Sequence, residues 1–209
     1  MNIVVFGATG PTGQQIVAQA VEQGHDVTAL VRDPTKLTVR NDRLHVITGS
    51  VPDNPQAVAD AVRGKDAVIS ALGVGQSFKP RGLIARSAPV IVSAMERQGV
   101  RRLIFISALG VGDTAGDLPI AMRIFQRLLL RAIAADKEQG EQIIRASHLD
   151  WTLVHPAGLT NKPKTGRYRC GEHLDLRGFP TIARADVAAF VLTQLRDPTY
   201  VRKTVTVSS

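Results

Sequence analysis

Short runs rich in β-branched and other apolar residues recur at 3–6, 27–31, 44–48, 66–71, 102–107 and 151–155. Most of the segments between them carry apolar residues at helical spacing. Ile16, Val17, Ala20 and Val21 form one stripe, and Ile84, Ala88, Ile91 and Met95 form another at steps of four, three and four. The strand runs are apolar throughout rather than alternating, which predicts burial on both faces and hence a parallel sheet covered by helices. Gln23-Gly24, Arg63-Gly64 and Gln98-Gly99 each precede a strand run. Glycine suits these places because the residue past a helix end often needs the left-handed conformation. Ser147-His148 before Trp151 reads as a fourth such end, with histidine in the glycine's place. The expected fold is α/β: a Rossmann-like, doubly wound parallel sheet with helices on both faces.

The last third is less regular. Residues 158–182 are rich in Gly, Pro, Lys and Arg and read as loop with one short strand near Tyr168. This irregular segment, about 156–183, is expected over the C-terminal edge of the sheet as a small substrate-side lobe. A helix at about 184–196, with Val187, Phe190, Val191 and Leu195 on its apolar side, and a final strand at Thr204–Val207 close the chain. Residues 1–209 are read as one domain around one core.

Composition narrows the partners. The single cysteine, Cys170, excludes an intrachain disulfide and a thiolate metal cluster, and fits a reducing cytoplasm. Met1-Asn2 leads straight into Ile3-Val4-Val5-Phe6, so the reading is a cytoplasmic protein without an export signal. No run of apolar residues is long enough to span a membrane. The 26 Lys and Arg against 18 Asp and Glu give a net charge of +8. These cations are scattered, with few aromatics among them, which favours a solvated basic surface over a nucleic-acid site. A phosphorylated small molecule stays open as a partner. His25, His45, His148, His155 and His173 show no metal-ligand spacing, so no metal is expected.

The strongest motif is Gly7-Ala8-Thr9-Gly10-Pro11-Thr12-Gly13, directly after the first strand run and opening the first helix. Gly7 permits the tight turn, Gly10 lets backbone approach a pyrophosphate, and Gly13 allows close helix–sheet packing. The first N–H groups of the helix, with its dipole, then hold the anion. A Walker A loop would need Lys and then Ser or Thr after the last glycine, but Gly13 is followed by Gln14-Gln15. The second strand ends at Arg32, with Asp33 after it and Lys36 one turn on. A guanidinium there suits a 2′-phosphate, so NADP(H) is favoured, with NAD(H) as the weaker alternative through Asp33.

With these motifs the chain resembles the atypical short-chain dehydrogenase/reductase group of NAD(P)H-binding proteins. It is most similar to the flavin reductase/biliverdin-IXβ reductase family, with the NmrA-like proteins as neighbours. The resemblance rests on GATGPTG at 7–13, LVRDPTKL at 30–37, DAVISALG at 66–73, the strand end Ile106-Ser107-Ala108, and SHLDWTLVHPAGLTNKPKTG at 147–166. It implies an NADPH-dependent reductase of flat conjugated substrates such as flavins, linear tetrapyrroles or quinones. By position, Arg32 would meet the 2′-phosphate, while Ala71, Leu72 and Gly73 would line the adenosine half. Ser107 would sit beside the nicotinamide, and residues after Pro156 would flank the substrate. Ser50, followed by Val51, stands where the family has an aspartate near adenine. Gly158 stands where flavin-reductase members carry a histidine.

The Tyr-x-x-x-Lys pair of short-chain dehydrogenases is absent: Tyr168 and Tyr200 are followed four residues later by Glu172 and Thr204. Lys137 has Ile133 four residues before it and shares a helix face with Glu141 and Ile144. It either turns toward a cofactor ribose or pairs with Glu141 at the surface. A conjugated acceptor spreads the incoming charge over its own rings, so its proton can come from solvent or from a weak donor. Ser107, at the end of a parallel strand, is the candidate for that donor. His155 and Leu109 are candidates to approach substrate, as are Met122 and Phe125 on the helix after Gly110–Gly116, a glycine-rich segment read as a lid. The alternative to a reductase is a non-catalytic NADP(H) sensor of NmrA type acting through a protein partner. A monomer is favoured over a dimer.

Overall fold

The computed structural model describes residues 1–73, 82–116 and 131–209. Strands β1 (Asn2–Phe6), β2 (Asp26–Val31), β3 (Leu44–Thr48), β4 (Ala67–Ser70), β5 (Arg102–Ile106) and β6 (Asp150–Pro156) fall on the six apolar runs. The lobe adds β7 (Gly158–Thr160), β8 (Arg169–Gly171) and β9 (Thr181–Ala183), and β10 (Lys203–Ser208) ends the chain. The main sheet has the order β3-β2-β1-β4-β5-β6-β10-β8. Every pairing in it is parallel except β10 with β8. The order runs outward in both directions from β1 and β4, so the chain doubles back at their C-terminal ends, the place where open α/β sheets bind ligands.

Five described helices cover the sheet: α1 (Pro11–Glu22), α2 (Pro55–Val62), α3 (Leu83–Gln98), α4 (Arg131–Ala146) and α5 (Arg184–Thr193). Successive strand residues point to opposite faces, and the two cores follow from that alternation. Ile3 and Val5 join Ile16, Val17, Val187 and Val191 of α1 and α5. Val4 and Phe6 join Val58, Ile84, Ile91 and Ile144 of α2, α3 and α4. Local chemistry sets the ends. Pro11 and Pro55 occupy the first helical turn, where a missing N–H costs nothing, and Asn54 caps α2 by accepting from Ala57 N at 3.0 Å. Gly24, Gly64 and Gly99 all take positive φ (80°, 68° and 70°), as expected past a helix end.

Several expectations need correction. His148 does not take the left-handed conformation, because Arg202 (φ 56°) is the one non-glycine residue with positive φ among those described. That corner closes instead by Ser147 N donating to Ile144 O and by Arg202 side-chain bonds to the carbonyls of His148 and Leu149. β3 is not buried on both faces: it has one neighbour, and His45, Val46 and Thr48 are exposed. The strand near Tyr168 is β8, whereas the two-stranded β7–β9 pair was not foreseen, since three residues carry no readable period. Helix α5 ends at Thr193 rather than near 196.

The lobe is tied down by α5. The fully buried Asp186 carboxylate accepts from Thr165 N (2.9 Å), Gly166 N (2.8 Å) and Thr165 Oγ1 (2.9 Å). Tyr168 meets Phe190 edge-on, with ring centroids 6.0 Å apart.

Candidate cofactor and active site

The glycine loop is shaped partly by the protein and partly for something else. Gly7 has φ +78°, and a Cβ there would lie 2.5 Å from Ala71 O, at the exit of β4. A Cβ on Gly13 would lie 2.1 Å from Gly7 O, so Gly13 packs against the turn itself. Gly10 is different: its Cβ would meet only Gly7 O, at 3.3 Å. The fold scarcely needs glycine there, whereas a ligand approaching the backbone does. Gly10 is also the N-cap of α1 and supplies no side chain to the helix, whose first turn has no acidic residue. The positive end of a twelve-residue helix is therefore bare at the C-terminal edge of the sheet, beside Thr9, Pro11 and Thr12. These residues fit the pyrophosphate of a dinucleotide.

Beyond β2, Arg32 is exposed and enters no ion pair with another described residue. Asp33 is otherwise engaged. Its carboxylate caps a 3-10 turn at Pro34–Lys36 by accepting from Thr35 N (3.1 Å) and Thr35 Oγ1 (2.6 Å), and it lies 3.6 Å from Lys36 Nζ. Those contacts, led by the Thr35 hydroxyl, hold Asp33 below the usual carboxylate range. Ser50 donates to Asp53 Oδ2 at 2.7 Å, and Asp53 in turn pairs with Arg86 of α3. A carboxylate thus stands beside the position where the family's aspartate is missing. The Val51 side chain belongs to the core.

At the ends of β4, β5 and β6 the structure gathers the remaining candidates. Ala71 N donates to Phe6 O at 2.8 Å; Ala71 and Leu72 are half-buried and Gly73 is exposed. Ser107 N donates to Val154 O and Leu109 N to Pro156 O, which fixes the two strand ends together. Pro156 and the Leu109 side chain are buried. Gly158 is exposed in β7, and a Cβ there would stand 3.1 Å from Pro180 O. Met122 and Phe125 lie outside the described residues.

Behind that edge lies a buried polar cluster. Ser107 Oγ donates to Glu141 Oε1 at 2.5 Å, and His155 Nε2 stands 3.0 Å from the same oxygen, off the line of a straight hydrogen bond. His155 Nδ1 lies 2.8 Å from Thr114 Oγ1, which also accepts from Gly110 N at 2.9 Å. Arg145 reaches Glu141 Oε2 (3.4 Å), Asp113 (2.9 Å) and Thr204 Oγ1 (2.7 Å), and stacks over Trp151. Two expectations change. His155 is 0% exposed with both ring nitrogens facing protein, so it lines the cluster rather than the substrate space. The start of the Gly110–Gly116 segment is pinned through buried Thr114 rather than free to act as a lid.

Lys137 forms no ion pair with Glu141, whose carboxylate is taken by Arg145 and His155. Burial is the main reason its ammonium is pushed down to about 8; Glu141 and Asp136 oppose that shift. Its neighbour Asp136 is buried and accepts from Ile84 N and Ala85 N of α3. Sequence reasoning missed Glu141 as a centre, along with Thr114, Arg145 and Asp136. The spacing Lys137, Glu141, Arg145 is that of an ordinary solvated helix face, and only the fold lays β5 and β6 against it. Lys162 and Arg184 were also missed. They line a cavity of about 280 Å³ beside Pro11 and Gln14 that has no carboxylate in its wall. Among the described residues no cluster could hold a metal ion, and no helix is long and apolar enough to cross a membrane.

A sheet that doubles back at β1 and β4, with a glycine loop opening there onto a bare helix N-terminus, defines a dinucleotide-binding protein of the Rossmann class. Residues 7–198 match the NAD(P)H-binding family, and the chain belongs to it. An uncharacterized chloroplastic protein of Arabidopsis thaliana is 33% identical over 174 residues, which cover 79% of this chain and 61% of that protein. The (4-alkanoyl-5-oxo-2,5-dihydrofuran-3-yl)methyl phosphate reductase of Streptomyces griseus is 29% identical, over 74% of this chain and 46% of its own length. Among solved structures, a short-chain dehydrogenase/reductase of Veillonella parvula in complex with NADP superposes with a TM-score of 0.86 at 22% identity, covering 100% of this chain and 94% of that one. The anaerobilin reductase ChuY of Escherichia coli O157:H7 superposes at 0.81 with 24% identity, covering 99% and 96%. The two superpositions establish likeness of fold.

Proposed function

We propose that the protein is an NADPH-dependent reductase that passes hydride to a flat conjugated acceptor: a flavin, a biliverdin-type tetrapyrrole or a quinone. One observation carries the acceptor class. The Ser107 hydroxyl, at the strand end where hydride would be delivered, already gives its hydrogen to Glu141, and position 133 is an isoleucine rather than a tyrosine. A simple carbonyl needs a strong acid at its oxygen. A conjugated acceptor does not, and water can protonate it after the transfer.

A bound reduced nicotinamide supplies the hydride; the chain supplies binding and orientation. Gly10 and the first turn of α1 receive the pyrophosphate. Arg32, free of ion pairs with described residues, takes the 2′-phosphate with Lys36 beside it, which favours NADPH over NADH. Ser50 with Asp53, and Ala71, Leu72 and Gly73, flank the adenosine. Lys137 serves the ribose of the nicotinamide half with Pro156 on the cofactor's side, and Gly158 flanks the acceptor. Holding two flat partners in register supplies most of the acceleration. The Streptomyces relative, itself a reductase, supports the reductase half of this reading.

The test is to mix the purified protein and NADPH with FMN, biliverdin or a quinone and follow the nicotinamide absorbance. Turnover, faster with NADPH than with NADH, is expected. Tight NADPH binding without turnover of any acceptor would replace the reductase by a redox sensor.

A further inference from the structure

A hydroxyl has one hydrogen to give and two lone pairs to receive with, and an ionised carboxylate can only receive. The contact of Ser107 Oγ with Glu141 Oε1 therefore fixes which way the serine points its hydrogen. Glu141 is only 1% exposed and, besides Ser107, is held by two further side chains. His155 of β6 stands 3.0 Å from Oε1, Arg145 one turn along α4 stands 3.4 Å from Oε2, and Thr114 holds the far side of the His155 ring at 2.8 Å. Burial raises the Glu141 carboxyl, but the adjacent His155 ring, the Ser107 hydroxyl and Arg145 together hold it below the usual carboxylate range. Near neutral pH it has no proton to return to Ser107.

We infer that Glu141 is a positioning residue that draws the Ser107 hydrogen inward, so that Ser107 meets a nicotinamide as an acceptor and orients its carboxamide by taking one of the N–H bonds. The inference rests on the proposed placement of the nicotinamide at the end of β5. It reverses the role of weak acid that the sequence suggests for Ser107. To act as an acid, Ser107 would have to give up its hydrogen and leave an ionised, buried carboxylate short of a donor.

Equilibrium binding tests this without turnover. The probes are NADP⁺ and 3-acetylpyridine adenine dinucleotide phosphate, which keeps the carbonyl but has no amide N–H. The protein is expected to prefer NADP⁺ about five- to tenfold, the scale of one neutral hydrogen bond. Ser107→Ala should bring the ratio to about one. Glu141→Met should do the same, because the freed hydroxyl turns to the carbonyl that both probes share. Glu141→Gln, which keeps an amide oxygen beside Ser107, should restore the preference. In the Ser107→Ala background, Glu141→Met should change the ratio no further; a merely structural role for Glu141 would move it in both backgrounds. Should Glu141→Met fail to fold by thermal unfolding, Glu141→Asp, one methylene too short to reach Ser107, takes its place.

A wild-type ratio near one with firm NADP⁺ binding overturns the inference and leaves the cofactor reading intact. A preference that survives Ser107→Ala, or that Glu141→Met alters without Ser107, overturns it as well. No binding of NADP⁺ at all overturns the cofactor reading, and the inference with it.

Discussion

The Asp136 carboxylate on α4 accepts the backbone N–H of Ile84 on α3 at 3.1 Å, and that of Ala85 at 2.9 Å, so one helix caps another. The helix that receives this cap has Gly82 at its own N-cap, with no side chain to offer. Beside the cap, a Cβ on Gly140 would lie 2.5 Å from Ile84 Cγ2, so the two helices touch where the cap forms. This contact holds α4 in place, and with it Lys137 and Glu141. Asp136→Ala should cost about 2 kcal/mol in urea unfolding, within the range for hydrogen bonds to a charged group. Asp136→Asn, which keeps one acceptor oxygen, should lose less.

The glycine loop separates folding from binding. A methyl group on Gly13 would sit 2.1 Å from the Gly7 carbonyl oxygen, which is backbone and cannot step aside cheaply. Gly13→Ala should therefore destabilise the protein by about 3 kcal/mol, the upper end for overpacking. Gly10→Ala meets only a 3.3 Å contact and should change stability by less than about 1 kcal/mol. It should still weaken NADPH strongly, because in the proposed binding mode the methyl group would face the pyrophosphate. Thermal unfolding and a cofactor titration on the same samples would show the contrast; equal losses in both measurements would mean that the space over Gly10 is not a ligand's.

Arg32→Ala should weaken NADPH far more than NADH. The charge-assisted contact proposed for Arg32 would be worth about 1.5–3 kcal/mol, roughly a ten- to hundredfold change in Kd. Parallel titrations of the two cofactors provide the check. An equal loss for both would place the 2′-phosphate elsewhere.

Lys137 should leave a mark on alkaline stability. Its folded pKa is depressed by burial to about 8, from an ordinary value of 10.5. Between those values the unfolded chain binds the proton more than the folded one, so this lysine makes stability rise with pH across that window. Below about pH 8 the half-buried ammonium must be held charged and partly desolvated, and its penalty is fully present. Lys137→Met should thus stabilise the protein most below pH 8, with the advantage shrinking toward pH 10.5. Urea midpoints of both proteins across this range, taken as a difference to cancel the other titrating groups, would reveal it.

The order of strands and helices was legible because it depends on short-range facts. β1, β2 and β4 are apolar on both faces and bounded by Gly24, Gly64 and similar stops, and the glycine loop lies between a strand and a helix. Such patterns admit few folds, and the glycine loop, Arg32 and Ser107 could be proposed as site residues from position along the chain alone. What stayed hidden depends on which elements come together. Val46 reads as a buried strand residue, and only the place of β3 at the sheet edge exposes it. Thr114 sits in a glycine-rich segment that reads as mobile until His155 is found beneath it. Glu141 looks like half of a surface pair with Lys137. Its true partners lie 34 residues before it, on the loop after β5, and 14 after it, on β6, and no periodicity links such distances. The sequence by itself determined the sheet, the glycine loop and the exposed arginine that follows β2, because each is written in neighbouring residues. The tertiary structure alone decided the direction of one serine hydrogen, because that depends on a carboxylate brought in by the packing of α4 against α3.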